Sequence, residues 1–308
     1  MLQQPEPFQA LNAHKANFDA IYELPDPREY YRVLCGLDYV IPNLAKDVFR
    51  ALIRRSAEEH GRPVKVLDLG CSYGINAALI RYPLDLERLA GRYAHPEMHA
   101  LETGDLIALD RRYFDSWPEQ IDARFVGLDA SPAAIRYATD VGLLDDGIVS
   151  NLERREPAGA ERARLRDVDM IISTGCVGYT TKRTFRRVLD LRDGAAPPWV
   201  ASFVLRMFPY DGIAEELARF GLVTEKLDGV TFVQRRFHSE TEFAATMDKL
   251  EARGVDPTGK EADGLFHAEL FVSRPAAAVE RAPLGDIVSV TRGENGRYGR
   301  RYRRVADD

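Results

Sequence analysis

The chain has 308 residues, of which 45% are hydrophobic and 29% charged, with a net charge of −6. This balance fits a globular domain with extra pieces and speaks against general nucleic-acid binding, which needs a basic surface. No apolar run reaches the roughly 18 residues that a membrane span requires.

Residues 1–62 read as helical. The start, MLQQPEPFQALNAHKANFD, is polar and lacks the basic-then-apolar order of a secretory signal. Asn43 is positioned to cap a helix whose Leu44, Val48, Leu52 and Ile53 share one face, and Gly61 closes it. Residues 63–80 follow as strand, turn and helix: VKVLDLG is short and β-branched, then come glycines, then NAALI. Residues 81–121 are rich in charge and aromatics, with a helical stretch near Leu101–Phe114.

From 122 to 275 strands alternate with helices. RFVGLD ends a strand, and Ser131-Pro132 starts a helix with a serine cap and proline in the first turn. GIVSNL, VDMIIST and WVASFVLRMF are strands, with the helix TFRRVLDL before the last of them. The helix GIAEELARFG, the strand VTFVQRRF, a helix capped by Ser239 with Glu242, and the strand FHAELFVSRP complete the run. Such alternation predicts a largely parallel sheet covered by helices on both faces, with VTFVQRRF and FHAELFVS as the edge pair. From Arg281 onward seven arginines face four acids, and RGENGRYGRRYRR is read as a solvated basic tail. The three cysteines, Cys35, Cys71 and Cys176, have no metal-ligand spacing, and a reducing cytoplasm is the expected compartment.

The segment that carries chemistry is VLDLGCSYGIN at 66–76. An apolar strand ends in Asp68, and Gly70, Ser72 and Gly74 follow at alternate positions before a helix. Glycine permits positive φ and close approach of a ligand to the backbone. A dinucleotide fingerprint would read G-x-G-x-x-G, and a phosphate loop would end in G-K-[ST]. This turn is G-x-S-x-G preceded by an acid, which suits a cationic amino group rather than a pyrophosphate.

VLDLGCSYG resembles motif I of the class I S-adenosylmethionine-dependent methyltransferases, with Ser72 in place of the middle glycine. The resemblance implies that Gly70, Cys71, Ser72 and Gly74 wrap the cofactor's amino-acid and ribose portion and that Asp68 serves its amino group, directly or through water. FVGLDASPAAI resembles the next motif, in which Asp129 binds both ribose hydroxyls and Ala130 follows it. Asp129 lies much further along than the roughly 20 residues usual in dinucleotide folds, so 81–121 is read as an insertion. The other reading of Asp129 is a charge at a helix N-terminus. In SNLE, Asn151 and Leu152 match the positions that face adenine, although asparagine near a strand end is equally a turn former. DMIISTGCVGY resembles the strand ending at the transferring methyl group, with Ser173 and Thr174 beside the cofactor. It lacks the Asn/Asp-Pro-Pro-aromatic signature suited to amino groups of nucleic acid or protein. Cys176 fits a small buried hydrophobe better than a nucleophile.

The resemblance therefore implies a Rossmann-like α/β fold: a seven-stranded, mostly parallel sheet with an antiparallel edge strand, an N-terminal helical lid and an insertion after the first core helix. The divisions are 1–62 as lid, 63–80 and 122–275 as core, 81–121 as a cap over the acceptor, and 276–308 as basic tail. The expected activity is methyl transfer from S-adenosylmethionine to a small-molecule acceptor, with no nucleic acid and no membrane as partner. A non-catalytic S-adenosylmethionine-binding regulator or partner subunit and a protein methyltransferase are the alternatives. Neither the oligomeric state (a homodimer is allowed) nor any metal is indicated. Tyr179 and His238 are the candidate catalytic residues, and Tyr22, Tyr30 and Tyr31 the candidate substrate or lid residues; the other readings are orienting the acceptor for Tyr179, a surface or helix-start position for His238 and helix packing for the lid tyrosines.

Overall fold

In the computed structural model, which describes residues 18–192, 194–295 and 300–305, the apolar runs become the strands of one sheet. These are β1 Val64–Leu69, β2 Ala123–Asp129, β3 Asp146–Val149, β4 Met170–Thr174, β5 Trp199–Leu205, β6 Leu222–Lys226, β7 Phe232–Arg236 and β8 Leu265–Pro275. They lie in the order β3-β2-β1-β4-β5-β8-β6, with β7 also paired to β8. The first five are parallel, and β8 runs antiparallel to β5, β6 and β7.

The sheet has eight strands rather than seven. The strand that sequence reasoning missed, β6, is LVTEK at the sheet edge, where only Leu222 is buried and no alternation of apolar residues announces it. The expected pairing of VTFVQRRF with FHAELFVS is present, but β8 is not an edge. Eleven residues long, it pairs with β5 along one side, while β6 and β7 share its other side in succession.

Helices cover both faces. β5 is buried along its whole length, as a strand between two helical layers must be. On one face Leu44, Val48, Leu52 and Ile53 pack into the core; on the other, Phe185, Val188 and Leu217 do so. The helix carrying the first group runs Ile41–His60 and begins before Asn43. Asn43 is instead inside the helix, where its side-chain oxygen accepts from the Leu86 N–H at 3.3 Å. Gly61 closes that helix at φ 63°, and Ser131 and Ser239 cap theirs as expected.

Residues 81–121 form three helices, Leu86–Tyr93, Pro96–Ala100 and Thr103–Asp115. They pack against the N-terminal segment, where Tyr31 stacks on Tyr93 with centroids 4.6 Å apart. Beneath this stack the Tyr93 and Tyr137 hydroxyls both donate to the fully buried Asp110 carboxylate, at 2.9 and 2.8 Å. Past 275 the chain is still packed: Ala276–Arg281 and Leu284–Ile287 are helical, and Leu284 and Val288 join the core. The segment read as tail thus begins later than 276. Val290–Asn295 and Arg300–Val305 then pair as an antiparallel ladder. Positions 296–299 of the basic cluster and 1–17 of the expected lid lie outside the described residues. Among the described residues no helix is long and apolar enough to cross a membrane.

Candidate functional site

The strand order reverses direction between β1 and β4, and doubly wound sheets place ligands in the crevice at the carboxyl ends of strands at such a point. A cavity of about 660 Å³ lies there, within the range typical of ligand sites. The turns after β1, β2, β3 and β4 line it, and the N-terminal segment and the end of β7 complete the wall.

The turn after β1 is held in a conformation its residues dictate. Gly70 has φ 73°, and a Cβ there would come within 2.9 Å of the Cys176 sulfur, so glycine alone fits without displacement. Ser72 also adopts a left-handed conformation, at φ 50°. Its hydroxyl is buried with no hydrogen-bond partner among the described residues. Gly74 begins the helix Ile75–Arg81 and lies behind the wall.

Asp129 faces the same cavity from the end of β2. Its Oδ2 accepts the Ser72 N–H and its Oδ1 the Ser131 N–H, both at 2.9 Å. Among the described residues no cation pairs with it. Burial raises its pKa, opposed by the N–H groups of Ser131, Ser72 and Ala130. Asp68 is fully buried and does not itself line the cavity. Its Oδ1 accepts from the Asn76 amide at 2.9 Å, and its Oδ2 has no partner among the described residues. Burial pushes its pKa up to about 7; the Asn76 hydrogen bond opposes this and the Asp129 charge adds to it. Asn76, which does line the cavity, also reaches the Thr174 hydroxyl at 3.2 Å. Asn76 lies within the glycine-rich segment, where nothing in the sequence alone marks it as a site residue.

At the end of β3, Asn151 and Leu152 line the cavity. The Asn151 side-chain oxygen accepts the Glu153 N–H at 3.0 Å, so it also forms a turn. Glu153, which sequence reasoning passed over, is buried and ties β3 to the segment after β4. It accepts from the Thr181 N–H, the Thr184 N–H and both threonine hydroxyls. At the end of β4, Thr174, Cys176 and Tyr179 face the cavity. Ser173 does not: it is fully buried in the sheet and bonds the Ser202 hydroxyl at 3.1 Å. Burial pushes the Cys176 thiol up to about 12, and only Thr180 opposes it. It is therefore a protonated wall residue, not a nucleophile.

Tyr22 and Tyr30 close the cavity from the N-terminal side. Burial raises both phenols well above their usual pKa, so they stay protonated donors. Tyr31 points away, onto Tyr93. His238 lies outside the wall, its ring 6.1 Å from that of Phe18. None of residues 81–121 lines the cavity, contrary to the expectation of a cap over the acceptor. They brace the lid instead: the Arg28 guanidinium donates to the carbonyls of Met98, His99 and Leu101. The lid is pinned to both ligand turns as well. The Tyr73 hydroxyl meets the carbonyls of Ile21 and Leu24 at 2.7 and 2.8 Å, and the Ser131 hydroxyl meets that of Tyr22 at 2.5 Å.

No protein-family model and no curated protein matches the chain. Similar solved structures include S-adenosylmethionine-dependent methyltransferases. Magnesium protoporphyrin IX methyltransferase from Synechocystis PCC 6803, with bound SAM, is 11% identical, with 76% of this chain and 80% of that one covered and a TM-score of 0.37. The TehB-like methyltransferase from Corynebacterium glutamicum is 16% identical, covering 72% and 86%, with a TM-score of 0.34. The plantazolicin methyltransferase BamL, in complex with a triazolic desmethylPZN analog and SAH, is 14% identical, covering 87% and 94%, with a TM-score of 0.38. At these scores none of the likenesses bears on the activity. By its own strand order and cavity, the chain is a Rossmann-like α/β protein with a ligand-sized site at the switch point of its sheet.

Proposed function

We propose that the protein transfers a methyl group from S-adenosylmethionine to a small-molecule acceptor by direct displacement. The observation that carries this reading is the Asp129 carboxylate, set at the cavity by two backbone N–H groups and unpaired with any cation among the described residues. Such a carboxylate keeps lone pairs for two neighbouring hydroxyls of a ribose. Gly70, Cys71, Ser72 and Ala130 supply backbone that a ligand can approach closely. Gly74 sets the start of the following helix behind them. Asn151 and Leu152 stand where an adenine edge would be read. The hydroxyls of Ser72 and Ser150, which line the cavity and have no hydrogen-bond partner among the described residues, fit a polar ligand. Asp68 acts through Asn76 and Thr174, which themselves reach the cavity.

When bound, the sulfonium supplies the electrophilic methyl group. The chain's residues then align the acceptor and exclude water. Tyr179 stands at the end of β4 to orient the acceptor, and Tyr22 and Tyr30, kept protonated, close the cavity from the lid. His238 lies outside the wall and takes no part in this reading. A cavity roofed by a braced N-terminal segment favours small acceptors over folded ones, and cysteines that form no disulfide among the described residues fit a reducing compartment.

Transfer of a radiolabelled methyl group from S-adenosylmethionine into a cell extract tests the reading. Label in the small-molecule fraction supports it. Label in the protein fraction alone favours a protein acceptor, and no label with intact binding favours a non-catalytic binder.

A further inference from the structure

The acceptor end of the cavity is shaped by an irregularity in β7. Its ladder with β8 pairs Val233 with His267 and then Arg235 with Phe266, so Gln234 has no partner in the register. Successive residues of a regular strand point to opposite faces, and a bulge re-aims them, often beside active sites. Here both Gln234 and Arg235, adjacent in sequence, line the cavity. The lid holds the bulge in place, since the Val40 N–H donates to the Gln234 carbonyl at 2.9 Å.

The Gln234 side chain is 5% exposed and lies over the end of β4. A Cβ added to Gly175 would sit 2.6 Å from its Nε2. Its amide makes no side-chain hydrogen bond to any other described residue, which leaves two donors and an acceptor unspent in a nearly closed wall. Of the neighbouring wall groups, the tyrosines are protonated, and the Tyr39 hydroxyl is already hydrogen-bonded to Tyr30 and Thr174. Arg235 is 3% exposed and already held by both oxygens of Glu242, at 2.9 and 2.7 Å. Phe18 and Leu34 are apolar, and the Tyr30 ring packs among other tyrosines.

We infer that Gln234 is the residue by which this site reads its acceptor. The acceptor it fits is a small, uncharged, largely apolar molecule presenting one hydroxyl, N–H or carbonyl group to the amide. An anion would meet an arginine whose charge is already neutralised, and a fully apolar ligand would leave the buried amide unpaired. Sites built to hydrogen-bond one group discriminate strongly against analogues lacking it. The inference rests on the methyltransferase reading of the cavity for the word acceptor, but the recognition itself is independent of it.

The test uses three matched probes, 1-naphthol, 1-methylnaphthalene and 1-naphthoate, titrated by NMR into the full chain with S-adenosylhomocysteine present. The wild type should bind 1-naphthol best. Gln234→Met should lower naphthol affinity by about fivefold to tenfold while leaving 1-methylnaphthalene within about twofold. Gln234→Glu guards against a packing artefact and should retain naphthol while still rejecting naphthoate. No preference of the wild type for naphthol, or an equal loss of naphthol and methylnaphthalene in Gln234→Met, overturns the assignment. Titration of S-adenosylhomocysteine alone into the same proteins judges the cofactor reading separately; its failure in the wild type counts against that reading and not against the naphthol preference.

Discussion

The Ser72 backbone N–H donates to Asp129 Oδ2 across 2.9 Å, joining the turn after β1 to the end of β2 through the carboxylate assigned to the ribose. The other oxygen takes the Ser131 N–H. Each carboxylate oxygen thus accepts one backbone N–H, and only a side chain with an acceptor on both sides satisfies the two donors.

Asp129→Ala should therefore weaken S-adenosylhomocysteine binding at least tenfold, about 1.5–3 kcal/mol for hydrogen bonds to a charged group. Asp129→Asn should be no milder, because its NH2 group must face one of the two backbone donors. Calorimetric titration of both variants checks this. Near-wild-type affinity in the asparagine variant would remove the ribose role.

Asp68 gives a pH signature. Its pKa of about 7 in the folded chain lies above the usual value near 4, so between those limits the native state holds a proton that the unfolded state has released. Stability from this group is present below about pH 4 and lost as pH rises to about 7. The melting temperature of Asp68→Asn relative to the wild type should accordingly climb across that window and level off above it. A difference that stays flat from pH 4 to 8 would show that Asp68 is ionised throughout.

Gly70→Ala should destabilise the fold by about 1–2 kcal/mol from the left-handed backbone alone, with further loss from the approach to Cys176. Chemical denaturation measures it. The same substitution at Gly91, which has open space around it and ordinary helical geometry, should be neutral or slightly stabilising.

The lid depends on a residue remote from the cavity. Arg28→Ala removes three hydrogen bonds to the carbonyls of 98, 99 and 101 and takes the charged partner from Asp26, which keeps the Thr103 hydroxyl. Hydrogen exchange in 19–36 should quicken, and ligand should dissociate faster with little change in the association rate. Unchanged exchange in that segment would mean that the insertion does not brace the lid.

Much of this was legible in the residues. The strand-turn-helix at 64–81, the acid ending β2 and the serine caps follow from local rules, since each is set by neighbours within a few positions. What escaped was set by long-range contact. β6 is polar because it lies at an edge, and sequence alone does not say which strands are edges. The aromatic content of 81–121 suggests a cap over the acceptor, but Tyr93 stacks on Tyr31 of the lid and Phe114 on Tyr82 within the same segment. Gln234 had no local signal, because a bulge shows only when the register with β8 is known. Glu153 likewise gains meaning only when folding brings Thr181 and Thr184 to it.

The most direct test is calorimetric titration of the wild-type chain with S-adenosylmethionine, S-adenosylhomocysteine and NAD. One site per chain with micromolar affinity for both adenosyl ligands, and no heat with NAD, is the predicted result. Binding of NAD, or of neither adenosyl ligand, would contradict the assignment of this cavity.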